Sequence, residues 1–406
     1  MNLVFFILIS FSFVCAGLTH HIQELSKAII DSASNAVDLS IKLIGVMSLF
    51  LGLMKVAEEG GILITISRLV RPIMTRLFPD VPPDHPAMGS MIMNISANML
   101  GLGNAATPFG IRAMQDLNKL NQNPEEATDA MALFLAINTS NVTILPTGVI
   151  ALRAAAGSHD PAGIIPSTLF ATSCSTATAI IAAKFFSRFF KKSTPIRHDV
   201  AKSDYRDAYP FWVSLLFIAF ILSIIPITIL YGKDVSYWII PSLILLFLCY
   251  GMIKKVKIYE VFVVGAKDGF NVAINIIPYL VAILVAVGMF QASGAMDMMV
   301  KIVGPFTSKI GLPAEALPMA ILRPLSGSGS YAVLASIIKN PKIGPDSYIG
   351  YLVSTIQGST ETTFYVIAVY FGAIKIKRIR HTLLAALSAD VAGIMASVLI
   401  CSILFR

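Results

Sequence analysis

The chain has 406 residues, of which 56% are hydrophobic and only 13% charged, with a mean hydropathy of +0.76. Ordinary soluble proteins carry roughly 25% charged residues, so this composition excludes a soluble enzyme and a disordered chain and points to repeated crossing of a lipid bilayer. The 31 Lys and Arg against 23 Asp and Glu give a net charge of +8, an excess that in a membrane protein belongs to cytoplasmic loops rather than to nucleic-acid binding.

In chain order, the apolar stretches are 3–18, 36–56, 128–152, 163–187, 211–231, 237–253, 270–290, 347–371 and 382–404. Each approaches the ~20 residues that a helix needs to span the hydrocarbon core. The first lacks a basic leader and reads as a retained helix rather than a signal peptide. Cys15, Cys174, Cys249 and Cys401 are far apart, and the histidines are scattered. Neither a disulfide framework, a metal site nor a cofactor is expected.

An internal duplication organises these stretches. At an offset of 233, Ala33, Ile41, Ile44, Gly61 and Pro72 fall on Ala266, Ile274, Ile277, Gly294 and Pro305. At an offset of 219, Ile137, Ser140 and Thr143 fall on Ile356, Ser359 and Thr362. The expected fold is an all-α polytopic membrane protein of two repeats, each with four spans plus a re-entrant helical hairpin. Residues 1–190 form the first repeat, 191–236 a charged linker with one extra span, and 237–406 the second. Basic clusters at 184–206, 254–267 and 375–380 should be cytoplasmic. The odd linker span then turns the second repeat upside down, a common plan of secondary transporters. Lys301, Lys309, Lys339 and Lys342 fall outside on this scheme, against the charge rule.

Polar residues inside the membrane mark the candidate site. Asn94 and Asn98 lie four apart on one helical face, followed by Ser96 between them and a break at Gly101-Leu102-Gly103. Asn104 or Thr107 is placed to cap a second helix before Pro108. This describes a hairpin whose tip lines a cavity, or else a tight small-residue packing site. Its counterpart is Arg323-Pro324-Leu325-Ser326-Gly327-Ser328-Gly329-Ser330, whose helix N-terminus and arginine suit an anion. Arg323 also reads as an ion-paired structural arginine.

Two long spans are interrupted in their middles, one by Asn138, Thr139, Ser140, Asn141 and Thr143, the other by Gln357, Ser359, Thr360 and Glu361. Unwound backbone there can coordinate Na⁺ or hold a polar solute. Glu361 is the sole acid of its span and is a candidate for Na⁺ or H⁺ coupling, or else a structural partner of Arg323 or Arg153. Asp390 in the last span is a second ion-coupling candidate.

These residues carry a resemblance. GLMKVAEEGG, RLFPDVPPDHPAMG, NMLGLGNAATPFGIRAM and ALRAAAG, within 52–157, resemble spore maturation protein A. AKDGFNVAINIIPYLVAILVAVGMFQASGAMD, RPLSGSG and STIQGSTETTFYVIAVYFG, within 266–372, resemble spore maturation protein B. The chain is similar to a fusion of the two, in a wider group with a nucleoside-recognition "gate" domain that includes nucleoside transporters. The resemblance implies a multi-pass protein of the bacterial inner membrane. In spore formers the separate proteins serve spore-core dehydration, a role that need not extend to a fusion. Concentrative nucleoside transporters use Gln, Thr and Glu at their substrate site; Gln357, Thr360 and Glu361 have similar chemistry in a different order.

Together these readings give a secondary transporter of a small polar solute, nucleoside-like or anionic, coupled to Na⁺ or H⁺. The alternative is a non-transporting scaffold or gate in envelope or spore maturation. No enzyme activity, cofactor or nucleic-acid partner is expected; the partners are the solute, the coupling ion and the lipid bilayer, with a homo-oligomer left open.

Overall fold

The computed structural model describes residues 2–101, 103–140, 143–190, 209–231 and 234–405. Among them there is no β-strand. In the first repeat the helices are α1 (Asn2–Thr19), α2 (Ile22–Glu59), α3 (Ile62–Leu77), α4 (Pro86–Met99), α5 (Gly103–Lys119), α6 (Asp129–Ser140), α7 (Thr147–Ala155) and α8 (Ile165–Ser187). The linker span is α9 (Phe211–Tyr231). The second repeat holds α10 (Asp234–Ile253), α11 (Ile258–Ala292), α12 (Ala295–Thr307), α13 (Leu317–Leu325), α14 (Gly327–Lys339), α15 (Tyr348–Ser359), α16 (Thr363–Ala373) and α17 (Thr382–Leu404).

The repeats match helix for helix, α1 with α10 through α8 with α17. Equivalent helices also pack on each other in opposite directions. Along α2 and α11, Gly52 faces the Phe262 ring, Gly265 faces Leu51 and Lys55, Gly269 faces Met47, and Gly288 faces Ser32. As the number rises in one helix it falls in the other. Gly265 and Gly269 let the two backbones touch, the small-residue packing that holds helices together where lipid offers no hydrophobic contrast. The α8–α17 pair runs the same way. The Phe190 ring lies 5.5 Å from that of His381, and Ser175 Oγ donates to the Ala389 carbonyl at 2.8 Å. At the far end, Ser167 and Cys401 both meet Thr355. Two equivalent pairs in antiparallel contact require an axis across the helices, which makes the protein an inverted-repeat membrane fold.

Two clasps tie the repeats together at opposite ends. Before α6, the loop at 125–127 pairs with the chain after α16: Ala127 N–H donates to the Arg378 carbonyl at 2.9 Å, and Lys377 N–H to the Glu125 carbonyl at 2.9 Å. Lys377 and Glu125 add an exposed ion pair at 2.6 Å, and Arg380 reaches Asp129 at 2.9 Å. At the related place in the other repeat, the loop before α15 meets the end of α7 through Arg153 and Asp346, 3.0 Å apart. The inverted plan puts these clasps on opposite membrane faces. Single cysteines replacing Lys342 and Lys377, both exposed, in a Cys249→Ala background should therefore label differently in intact cells. An impermeant thiol reagent should reach position 342 and not 377; labelling of both would remove the inverted plan.

Candidate functional site

Each hairpin bends where the sequence leaves the chain free to bend. The α4 helix starts at Pro86, capped by His85 Nδ1, which accepts from Ala87 N–H at 3.1 Å. It ends at Gly101, which has φ +73°, the left-handed backbone that glycine adopts at little cost. A Cβ there would lie 2.5 Å from the Leu145 carbonyl oxygen, so this tip is seated directly on the chain between α6 and α7. Ile144 N–H donates to the Met99 carbonyl at 2.9 Å and fixes the seat. The second helix begins at Gly103, earlier than an Asn104 or Thr107 cap implies, and Pro108 lies inside it. The Asn104 side chain and Asn141 lie outside the described residues. In the second hairpin, Ser326 is extended and its Oγ accepts from Gly329 N–H at 3.1 Å, capping α14.

The interruptions also fall later than the polar runs suggest. Asn138–Ser140 and Gln357–Ser359 remain helical, and the described open segments are 143–146 and 360–362. The hydroxyls explain this. Thr139, Ser140 and Ser359 each donate to the carbonyl three residues back, at 3.0, 2.9 and 3.1 Å. They satisfy the last turn instead of opening it. The second open segment meets the end of α6 across the repeats, Glu361 N–H donating to the Thr139 carbonyl at 2.7 Å.

A cavity of about 180 Å³ lies at this junction. Both hairpin tips line it, through Gly101 and Gly327, as do both interruptions, through Thr143–Val149 and Gln357–Glu361. Asn98, Thr143, Arg323, Gln357 and Glu361 are the sequence candidates on its wall. The Gln357 side chain is 2% exposed, and its amide oxygen and nitrogen have no hydrogen-bond partner of ordinary geometry. The Tyr331 phenol lies beside it. Arg323 is buried with its guanidinium 3.5 Å from the Glu361 carboxylate, while that carboxylate keeps 42% of its side-chain exposure. The same guanidinium donates to the Thr360 carbonyl and, at 3.3 Å, to Thr362 Oγ1. It thus closes the α15–α16 interruption onto α13.

The remaining candidates sit behind the wall. Asn98 donates to Asn138 Oδ1 at 3.0 Å, and Asn138 donates to the Phe134 carbonyl at 2.9 Å. Asn94 is fully buried and donates to the Ala106 carbonyl and to the Tyr370 hydroxyl. Ser140 Oγ also lies 3.0 Å from Thr176 Oγ1. Thr107, Ser326 and Ser328 are half-buried away from the cavity wall. Asp390 accepts from Thr363 Oγ1 at 2.7 Å. Sequence reasoning missed Tyr331 and Gly148. Tyr331 follows SGSGS directly, and its hydroxyl would meet a Cβ at Gly148 at 2.6 Å, a contact between repeats with no local signal.

Residues 40–156 and 273–377, more than half of the chain and both parts of the cavity wall, match the Gate family, described as nucleoside recognition. The chain belongs to this Gate family. It is 44% identical over 186 residues to spore maturation protein A of Bacillus subtilis (strain 168), covering 46% of this chain and 95% of that protein. It is 47% identical over 170 residues to spore maturation protein B of the same organism, covering 42% of this chain and 94% of that protein. Among solved structures it is similar to CNTnw in an inward-facing substrate-bound state, with TM-score 0.48 and 13% identity over 98% of this chain and 90% of that one. The Alcanivorax borkumensis YdaH transporter matches with TM-score 0.39 and 13% identity over 98% of this chain and 96% of that one.

Proposed function

We infer that this Gate protein is a transporter of a small polar solute in the bacterial cytoplasmic membrane, and that the solute binds at the junction of the two hairpin tips and two interrupted spans. The observation that carries the reading is Gln357. A buried amide whose hydrogen bonds are not made in full costs about 1–3 kcal/mol, and such a group persists where a ligand completes it. A solute with a donor and an acceptor side by side, as on a nucleobase edge or a carboxamide, matches that amide. Asn98, Thr143 and the Arg323–Glu361 pair supply the remaining polar wall. Non-helical backbone at membrane depth is tolerated where it lines such a cavity.

The relationship to two spore maturation proteins favours a second reading, a gate or scaffold that moves no solute and acts in envelope or spore maturation. Metabolite profiles separate the two. Cells lacking the protein and cells carrying Gln357→Leu should show the same displaced polar metabolite, while Lys377→Ala cells match the wild type. The scaffold reading wins if the deletion has a phenotype but Gln357→Leu behaves as wild type.

A further inference from the structure

Three buried carboxylates stand out among the described residues: Asp116, Asp160 and Asp390, at 5%, 6% and 3% exposure. Asp116 is neutralised by Lys119 at 2.7 Å. Asp160 belongs to the Arg153 clasp, its own carbonyl accepting from that guanidinium at 3.2 Å. Asp390 has no cation within ion-pair distance among the described residues. One oxygen, Oδ2, accepts from Thr363; the other, Oδ1, is buried with no partner. It lies mid-way along α17, where the pairing with α8 brings Ser175 to the neighbouring Ala389 carbonyl. Ser175 and Thr360 also crowd Gly393, one turn on.

Resting on the transporter reading, we propose that Asp390 is the site that takes up and releases the coupling proton. An ionised carboxylate with one bare oxygen is costly in a span, and protonation removes the cost. A metal ion is a poorer fit: Na⁺ or Ca²⁺ needs about six oxygens. Here the carboxylate meets a single hydroxyl through Oδ2 and nothing through Oδ1, far short of such an oxygen shell. A proton requires one oxygen.

The helices packed on α17 are α6, α8, α13, α15 and α16. Their titratable residues are Asp129, Cys174, Lys184, Arg323, Tyr348, Tyr351, Tyr365 and Tyr370. Asp129 is held by Arg380, before α17 begins, and the antiparallel pairing sets Lys184 opposite the start of α17. Arg323 is the other cation on these helices. It is held by Glu361, Thr360 and Thr362, on the three residues that precede Thr363. The step is a simple exchange. A proton from one aqueous phase binds Oδ1 and gives the neutral acid, and Arg323 stays on Glu361. Loss of that proton to the other phase restores the carboxylate beside Thr363, the residue that follows the α15–α16 interruption.

Infrared difference spectra of the purified protein, titrated from acid to alkaline pH, test this without any solute. The wild type should show the carbonyl stretch of a protonated, weakly hydrogen-bonded carboxylic acid that disappears as pH rises. Asp390→Asn should lose the band, and Asp116→Asn should keep it. Thr363→Val should move the band to higher frequency, because the carbonyl loses its donor; this variant retains Asp390 and serves if Asp390→Asn does not fold. A band that persists in Asp390→Asn, or no titrating acid band in the wild type, would overturn the proposal. Because no solute is present, its failure is distinct from failure of the transporter reading.

Discussion

Replacing Arg153 by Ala should destabilise the protein by about 3–5 kcal/mol, the cost of removing one partner of a buried ion pair. The Arg153 side chain is fully buried. Its guanidinium donates to the Pro345 carbonyl at 2.6 Å, Ser354 Oγ at 3.3 Å, Ser158 Oγ at 3.2 Å and Asp346 Oδ1 at 3.0 Å. It also lies 4.2 Å from the Tyr351 ring centroid, and that ring stacks on Phe405 at 3.8 Å. One planar group thus joins the end of α7 to the start of α15. Without it, the polar groups of both repeats lose their common donor. Lysine cannot replace a planar fork that bonds on several sides while stacking, so Arg153→Lys should recover only a minor part. Asp346 keeps 29% side-chain exposure and is partly hydrated, so Asp346→Ala should cost less than Arg153→Ala. Thermal unfolding in detergent checks the order. Arg153→Ala melting with the wild type would show that the clasp contributes nothing.

At the hairpin tip, Gly101→Ala should abolish solute binding, whereas Gly157→Ala should leave it intact. Both glycines have left-handed backbone, φ +73° and +83°, so both substitutions carry about 1–2 kcal/mol of backbone strain. Only Gly101 also meets an obstacle. Its Cβ would lie 2.5 Å from the Leu145 carbonyl oxygen, and at Gly157 nothing lies within 4 Å. Backbone cannot step aside as a flexible side chain can, so the tip must lift from the α6–α7 interruption. That opens the cavity wall between Gly101 and Thr147. Comparable melting losses in the two variants, with binding kept in both, would mean that the tip is not seated as described.

Much of the fold was legible because the bilayer imposes length and hydropathy on every span. The stretches at 163–187 and 382–404 became α8 and α17 nearly residue for residue. The offset of 233 identified α2 and α11, which now pack antiparallel. The site was legible in its parts. Asn98, Arg323, Gln357 and Glu361 are polar where a span should be apolar, and all four reach one cavity. What escaped were properties of pairs distant in sequence. Arg153 and Asp346 are 193 residues apart, and nothing around either announces the other. Tyr331 reads as an ordinary aromatic until Gly148 is packed beside it. The interruption boundaries were displaced because Thr and Ser are ambiguous in sequence. Their hydroxyls can open a helix or close its last turn, and here Ser140 and Ser359 close it.

The central claim is that both repeats build one polar solute site around Gln357. Its most direct test is the melting temperature of the purified protein with a panel of nucleosides and small carboxylates, for the wild type and Gln357→Leu. A solute at a hundred times its Kd adds about 2.7 kcal/mol of stability. Loss of one hydrogen bond, at about 0.5–1.5 kcal/mol, weakens affinity roughly 2- to 13-fold. At least one member of the panel should raise the melting temperature of the wild type, and do so at clearly higher concentration for Gln357→Leu. No shift with any member, or identical concentration dependence in the two proteins, would contradict the account.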